Sequence, residues 1–348
     1  MAKIGKLINK IGIPTFAVGA LLAVVLITAA AMGQSMSILL SDILRRVGMN
    51  GLLVLAMVPS IKSGTGPNFA LPIGIEGGLF ALICFMQLDF SGWKLIVCSM
   101  LFAIVLCTLL GLAYGKLLNA VKGDEMTIAT YTGFSIVAFF NILWLILPFS
   151  NRKMGWMLGS GLRETIQLDG FEAAQIVSEL GAFNIGNVSV PTGMLALLVI
   201  CCLIVSFFFK TKPGLAIYAG GVNPRFADAA GLNINRNRVL ANVLSTVIAG
   251  LGIIIYAQGY GYVQLYNGPL NMAFPAVAAV LIGGATASTA NCVHVLVGTC
   301  IFQGLMTAAV PVANAIFTGT DLSDIMRQAI QNGVILYALT KVKKGGDR

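Results

Sequence analysis

Runs of apolar residues long enough to cross a bilayer constrain this chain more than anything else in it. A hydrocarbon core roughly 30 Å thick takes about 20 residues of helix. Ile13–Gly33, Leu95–Gly115, Thr127–Phe149, Thr192–Phe209 and Val239–Ala257 meet or approach that length without a charged residue. A membrane β-barrel would instead show short segments of alternating polarity, so these continuous runs make the chain an all-α polytopic membrane protein. Its composition agrees: 57% hydrophobic and 10% charged over 348 residues, against about 25% charged in a soluble domain. Ile13–Gly33 is too long for a signal-peptide core and more spans follow it, so it reads as a retained helix.

Five further segments bring the expected number of crossings to about ten: Ile43–Ser60, Phe69–Gln87, Asn271–Gly283, Cys292–Val310 and Asp324–Thr340, of which Ile43–Ser60 and Asn271–Gly283 are weak. Ile43–Ser60 opens on Arg45 and Arg46 and ends near Pro59, and Asn271–Gly283 is short and holds Pro275. Irregular backbone at membrane depth survives only inside protein or beside a cavity, so these read as broken or re-entrant helices.

Ten crossings leave both termini on one side. With the N-terminus in the cytoplasm, 15 of the 22 basic residues fall in cytoplasmic segments and seven outside. Lysine and arginine are retained on that side, which explains the net charge of +9 without nucleic acid. Membrane lipid is the surrounding partner. Arg45 and Arg46 sit on the wrong side of this scheme, with snorkelling at the outer interface as their only account. The outer loop 150–191 is long enough to be functional, and its Asp169–Leu180 stretch has the spacing of a helix lying on the membrane surface.

The chain lacks the parts of an enzyme. Gly111–Leu117 is the closest approach to a nucleotide-binding loop, but its spacing is wrong and no hydroxyl residue follows Lys116. His294 is the only histidine, flanked by Val293 and Val295, and reads as packed and hydrogen-bonded. The seven cysteines lie in apolar segments, where Cys acts as a small hydrophobe. No catalytic group, cofactor or metal site is expected.

Two Gly-rich breaks are loosely alike: Ser63–Phe69, followed by Gly74, Gly77 and Gly78, and Gly283–Asn291, followed by Gly298 and Gly304. An internal repeat and the ordinary use of small residues in helix packing account for them equally. Asn68, Glu76 and Asn291 beside these breaks are the candidates for a translocation pathway. Glu76 is the one carboxylate deep in a span, and it serves either the pathway or a structural hydrogen bond. Asn141, Gln303 and Asn314 are weaker candidates.

Loop 210–238 is the long polar segment between two apolar spans, and it carries Arg225, Arg236 and Arg238. Asn223 suits a helix N-cap, Pro224 the first helical position, and Gly231 a left-handed stop. A short rod over Arg225–Ala230 follows, with Ala227 and Ala230 leaving a smooth face. An ordinary capped loop helix accounts for this pattern equally well.

The text Ala219-Gly220-Gly221-Val222-Asn223-Pro224, then Ala227, Ala230 and Gly231, resembles the coupling loop of ribose-type ABC importer permeases, a group that includes autoinducer-2 and nucleoside permeases. Val239–Ala257 and the run Ala276–Gly284 extend the likeness, while the segments around Ser63 and Ala285 depart from it. The resemblance implies a type II ABC importer-like fold in one integral domain over residues 1–348. It implies coupling to cytoplasmic ABC ATPase subunits through Gly220, Gly221, Asn223, Pro224, Arg225, Ala227, Ala230 and Gly231. It also implies a second permease subunit, identical or a sister, and an extracytoplasmic solute-binding protein delivering a small polar solute such as a sugar or nucleoside. The alternative is an ion-coupled secondary transporter with Glu76 as its coupling carboxylate.

Overall fold

The computed structural model describes residues 13–149, 151–155, 161–286, 288–316, 328–329, 331–337 and 340. Its helices follow the apolar runs. They are α1 (Ile13–Ala31), α2 (Met36–Leu55), α3 (Met57–Lys62), α4 (Pro72–Gln87), α5 (Gly92–Ala120) and α6 (Glu125–Ile146). Then come α7 (Ile176–Glu179), α8 (Thr192–Phe208), α9 (Lys212–Val222), α10 (Pro224–Ala229), α11 (Ile234–Tyr260), α12 (Gly268–Ile282) and α13 (Cys292–Ile316). Four three-residue strands, β1 (Thr165–Gln167), β2 (Phe183–Ile185), β3 (Val188–Val190) and β4 (Tyr262–Gln264), form two antiparallel pairs.

Among the described residues, five helices are long and apolar enough to cross a membrane, and α8 with α9 would make a sixth span bent by 78°. The helices α4 and α12 are apolar but shorter, and α2 is interrupted by charge. Each of the first nine expected crossings therefore coincides with a helix, and ten is an approximate count. The tenth, Asp324–Thr340, lies partly outside the described residues, with helix at 331–337.

The helix α11 is the hub, packed between α4 and α5 through small residues. A Cβ on Gly78 of α4 would collide with the Gly250 carbonyl, and one on Gly115 of α5 would lie 2.9 Å from the Cα of Val239. Gly74 with Gly78, and Gly111 with Gly115, carry the four-residue spacing that lets backbones approach within a membrane. Gly283 and Gly298 do the same between α12 and α13, so packing by small residues explains the second Gly-rich break. The outer helices keep bulky apolar side chains such as Leu101, Ile142 and Phe207 exposed, as lipid requires.

At 27 residues, α11 is roughly 40 Å long. It separates two ends of the molecule, the end of Tyr260 and the end of α10. At the Tyr260 end, β1 pairs with β4 in the register Thr165↔Gln264. The expected surface helix over Asp169–Leu180 is not continuous. A 3-10 turn at Asp169–Phe171 is followed by left-handed Glu172 and Gln175, and only then by α7. The cause is docking onto α11: the Gln175 N–H donates to the Gln258 carbonyl at 2.7 Å, and the Val177 N–H to the Gln258 side chain at 3.2 Å. Phe171 and Val177 are buried there.

Candidate solute cavity and coupling segment

A cavity of about 790 Å³ opens at the Tyr260 end. From α2 it takes Asp42, Arg46 and Asn50, spaced by four and so stacked on one helix face. From the end of α11 and from β4 come Tyr256, Tyr260 and Gln264, and α12 adds Asn271. From α13 come Gln303, Thr307 and Asn314, and from the C-terminal helical stretch Gln331 and Asn332. Two helix prolines, Pro275 and Pro311, also line it. A proline inside a helix removes the hydrogen bond to the carbonyl four residues earlier. The carbonyls so deprived belong to Asn271 and Thr307, both wall residues. A polar cavity is thus lined by amides, hydroxyls and residues with spare backbone acceptors.

Arg46 finds its explanation here. Its guanidinium lies over the Tyr260 ring, 5.9 Å from the centroid, and Tyr256 packs against Tyr260 at 4.7 Å between centroids. It therefore faces protein and cavity rather than lipid. Arg45 lines a smaller neighbouring hollow with Asp42 and Gln175.

The structure puts none of Asn68, Glu76 and Asn291 on this cavity. Asn68 is buried in a polar knot: its Nδ2 donates to Ser245 at 2.9 Å, and its Oδ1 accepts from Tyr114 at 3.1 Å. Glu76 is fully buried among packed helices, neither carboxylate oxygen hydrogen-bonded; the Trp144 indole lies beside it, short of hydrogen-bond geometry. Asn291 is exposed just before α13. Two of the weaker candidates, Gln303 and Asn314, do line the cavity, whereas the third, Asn141, does not. Sequence reasoning passed over Asp42, Asn50 and Asn271. The signal that finds the first two is the 42, 46, 50 spacing within a span already weakened by charge. His294, expected to be hydrogen-bonded, is half-buried with no partner for Nδ1.

At the other end, α8 turns sharply into α9, and α9 leads to α10. The Asn223 side chain accepts from the Phe226 N–H at 3.1 Å, capping the helix as its sequence requires. Gly231 takes φ +76°. The Leu232 N–H reaches the Ala227 carbonyl at 3.0 Å and the Gly231 N–H the Asp228 carbonyl at 2.9 Å, which closes the helix as a Schellman motif. The expected smooth face of Ala227 and Ala230 is corrected by burial: Ala227 is fully buried and points into the protein. Pro224, Arg225, Asp228, Ala230 and the large apolar Phe226 point outward.

Gly220 is buried, and Gly221 lies against the Lys62 carbonyl and Gly64, in the first Gly-rich break. Lys62 is held in turn, its ammonium 4.2 Å from the Phe209 ring centroid at the α8–α9 corner. Nearby, Arg238 of α11 forms an ion pair with Glu125 of α6, both side chains largely buried.

Residues 5–339 match the family described as branched-chain amino acid transport system / permease component. The chain belongs to this permease family. It is 23% identical over 307 residues to the nucleoside ABC transporter permease protein NupB of Lactococcus lactis, covering 82% of this chain and 75% of that one. It is 26% identical over 287 residues to the galactofuranose transporter permease protein YtfT of Escherichia coli, covering 75% and 81% respectively. A shorter match, 33% over 104 residues, is to the nucleoside permease protein NupC of L. lactis, covering 30% of this chain and 32% of that one. The chain is a divergent, multi-pass ABC permease of the bacterial inner membrane, a transport subunit and not an enzyme. ATP hydrolysis belongs to partner ATPase subunits, and permeases of this kind work with a solute-binding protein. Family membership decides against the ion-driven alternative built on Glu76.

Proposed function

We propose that this permease imports an uncharged, hydroxylated solute of the nucleoside or sugar kind through the amide-lined cavity, driven by ATPases that bear on α9–α10. The observation that carries the reading is one broken helix that touches both places. At one end α2 presents Asp42, Arg46 and Asn50 to the cavity. It is interrupted at Ala56, where Pro59 withholds the N–H that would bond the Leu55 carbonyl. It then continues as α3 to Lys62, which with Gly64 meets Gly221 of α9. Force on the coupling segment therefore reaches a cavity wall roughly 20–30 Å away through a rigid rod with one joint.

The reading assigns α10, with Arg225 and Phe226 outermost, to the ATPase contact. Loop 210–238 and both termini lie in the cytoplasm, and segment 150–191 faces the solute-binding protein. A second permease subunit completes the assembly. The relatives that transport nucleosides and galactofuranose support the solute class, and the many neutral donors and acceptors of the wall suit it chemically.

Uptake of radiolabelled uridine and galactose by cells carrying the complete transporter tests the reading. Gln303→Ala and Asn314→Ala are expected to lower uptake of the transported solute at least tenfold at normal membrane abundance. Undiminished uptake in both variants would place the solute route elsewhere.

A further inference from the structure

The cavity wall holds two formal charges among its described residues, Asp42 and Arg46, one of each sign and one helical turn apart on α2. Side chains at this spacing are neighbours and ordinarily pair, yet these two form no ion pair with each other. Arg46 is engaged with the Tyr260 ring instead. Asp42 is exposed and lines the same cavity as Gln34 and Ser35. The other polar side chains of the wall are neutral amides, hydroxyls and phenols.

We propose that Asp42 and Arg46 determine specificity, acting as a two-sign filter that admits neutral polyhydroxylated solutes and turns away ions of either charge. The inference rests on reading the cavity as the solute site. An anion drawn to Arg46 must sit within one helical turn of the Asp42 carboxylate, and a cation drawn to Asp42 must sit equally near the guanidinium. Each ion sheds water on entering the cavity and gains an attraction nearly cancelled by a repulsion. A neutral solute bearing hydroxyls is treated differently. Its O–H groups donate to the carboxylate, its oxygens accept from the guanidinium, and charge-assisted hydrogen bonds are stronger than neutral ones. Tyr256 and Tyr260, packed together at 4.7 Å between centroids, add apolar ring surface to the wall beside these polar groups. Specificity then comes from the repulsive member of the pair as much as from the attractive one.

The pair makes a reciprocal prediction. With Asp42→Asn the remaining charge is Arg46, and anions gain. With Arg46→Gln the remaining charge is Asp42, and cations gain. The experiment measures binding of radiolabelled uridine to the permease–ATPase complex in nanodiscs, competed by unlabelled uridine, by uridine monophosphate and by 5′-amino-5′-deoxyuridine. Galactose replaces uridine, with its phosphate and amino derivatives, if galactose is the solute bound. The wild-type complex is expected to prefer the neutral competitor at least tenfold, about 1.4 kcal/mol, over both charged ones. Asp42→Asn should erase that preference against the phosphate alone, Arg46→Gln against the amine alone, and Arg46→Lys should keep the wild-type order. If both variants discriminate as the wild type does, the filter is overturned and the cavity reading stands. If the wild-type complex binds neither neutral solute, the cavity reading falls and takes the filter with it.

Discussion

Gly64 and Gly221 meet backbone to backbone: a Cβ on Gly64 would lie 3.0 Å from the Cα of Gly221 and 3.1 Å from its carbonyl oxygen. One glycine belongs to the break after α3, the other to α9. The contact joins the segment that leads to α10 with the segment that continues α2, and no side chain cushions it. A Cβ on Gly221 would collide with the Lys62 carbonyl, which is backbone and cannot rotate away.

Gly221→Ala is therefore expected to push α9 off the break while leaving the helices inserted. Uptake should drop at least tenfold, with ATP hydrolysis by the complex near its wild-type rate. The ratio of solute moved to ATP hydrolysed in proteoliposomes measures this. An unchanged ratio would mean that force does not pass through this contact.

Gly231 ends α10 at φ +76°, a conformation that costs an ordinary residue roughly 1–2 kcal/mol and that Asn tolerates better. Gly231→Val should loosen the Schellman closure and misplace the outward face of Arg225 and Phe226. Gly231→Asn should largely preserve it. Co-purification of the ATPase with the permease is the readout, expected to fall with Val and persist with Asn. Equal recovery with both would show that the exit geometry of α10 is irrelevant to docking.

The ion pair of Arg238 with Glu125 ties α11 to α6 beside the coupling segment, with side chains 11% and 19% exposed. Removing one partner of a pair this shielded strands the other, at a cost on the order of 3 kcal/mol. Glu125→Gln should lower the thermal midpoint of the purified permease. The swap Glu125→Arg with Arg238→Glu should recover part of that loss. A swap no better than the single variant would mean that the pair contributes through shape rather than charge.

Orientation is checked by single cysteines in a background without the native seven. Asn233, at the start of α11, and Gly186, in the turn between β2 and β3, are exposed at opposite ends of the molecule. An impermeant thiol reagent on intact spheroplasts is expected to label the Gly186 position and spare the Asn233 position. The reverse pattern would invert the topology and move α10 outside.

The sequence made the spans legible because lipid demands unbroken apolar runs, and the α10 caps legible because Asn223, Pro224 and Gly231 each have a narrow backbone role. What it obscured had physical reasons. Arg45 and Arg46 looked misplaced because the charge count put them on the outer side, whereas the spacing of Asp42, Arg46 and Asn50 marks a wall turned toward a cavity. Ala227 was expected on the docking face because small residues permit close approach, but the close approach it permits is to its own protein. Asp169–Leu180 had helical spacing, yet the backbone acceptor and side chain of Gln258 captured its N–H groups. That partner is over 80 residues away in sequence and leaves no local trace.

Glu76 is the residue whose meaning changes most between sequence and structure. Lone carboxylates within membrane spans are commonly functional, and Glu76 stands among Gly74, Gly77 and Gly78. Those glycines are filled by neighbours: Gly74 and Gly78 meet α11, and Gly77 meets Cys107 of α5. The carboxyl group is turned toward Trp144 rather than the cavity, with no hydrogen-bond partner for either oxygen. Burying a polar group without partners costs stability, and a charge costs more than a neutral amide. Glu76→Gln keeps the shape and removes the ionisable group. It is expected to leave uptake within twofold of wild type and to raise the thermal midpoint by a few degrees, the response of a domain this size to roughly 1 kcal/mol. Uptake assays and a detergent melting curve on the same variant decide the matter. A loss of uptake at normal abundance, with no gain in melting temperature, would return Glu76 to the pathway and require a second route through the helices around Trp144.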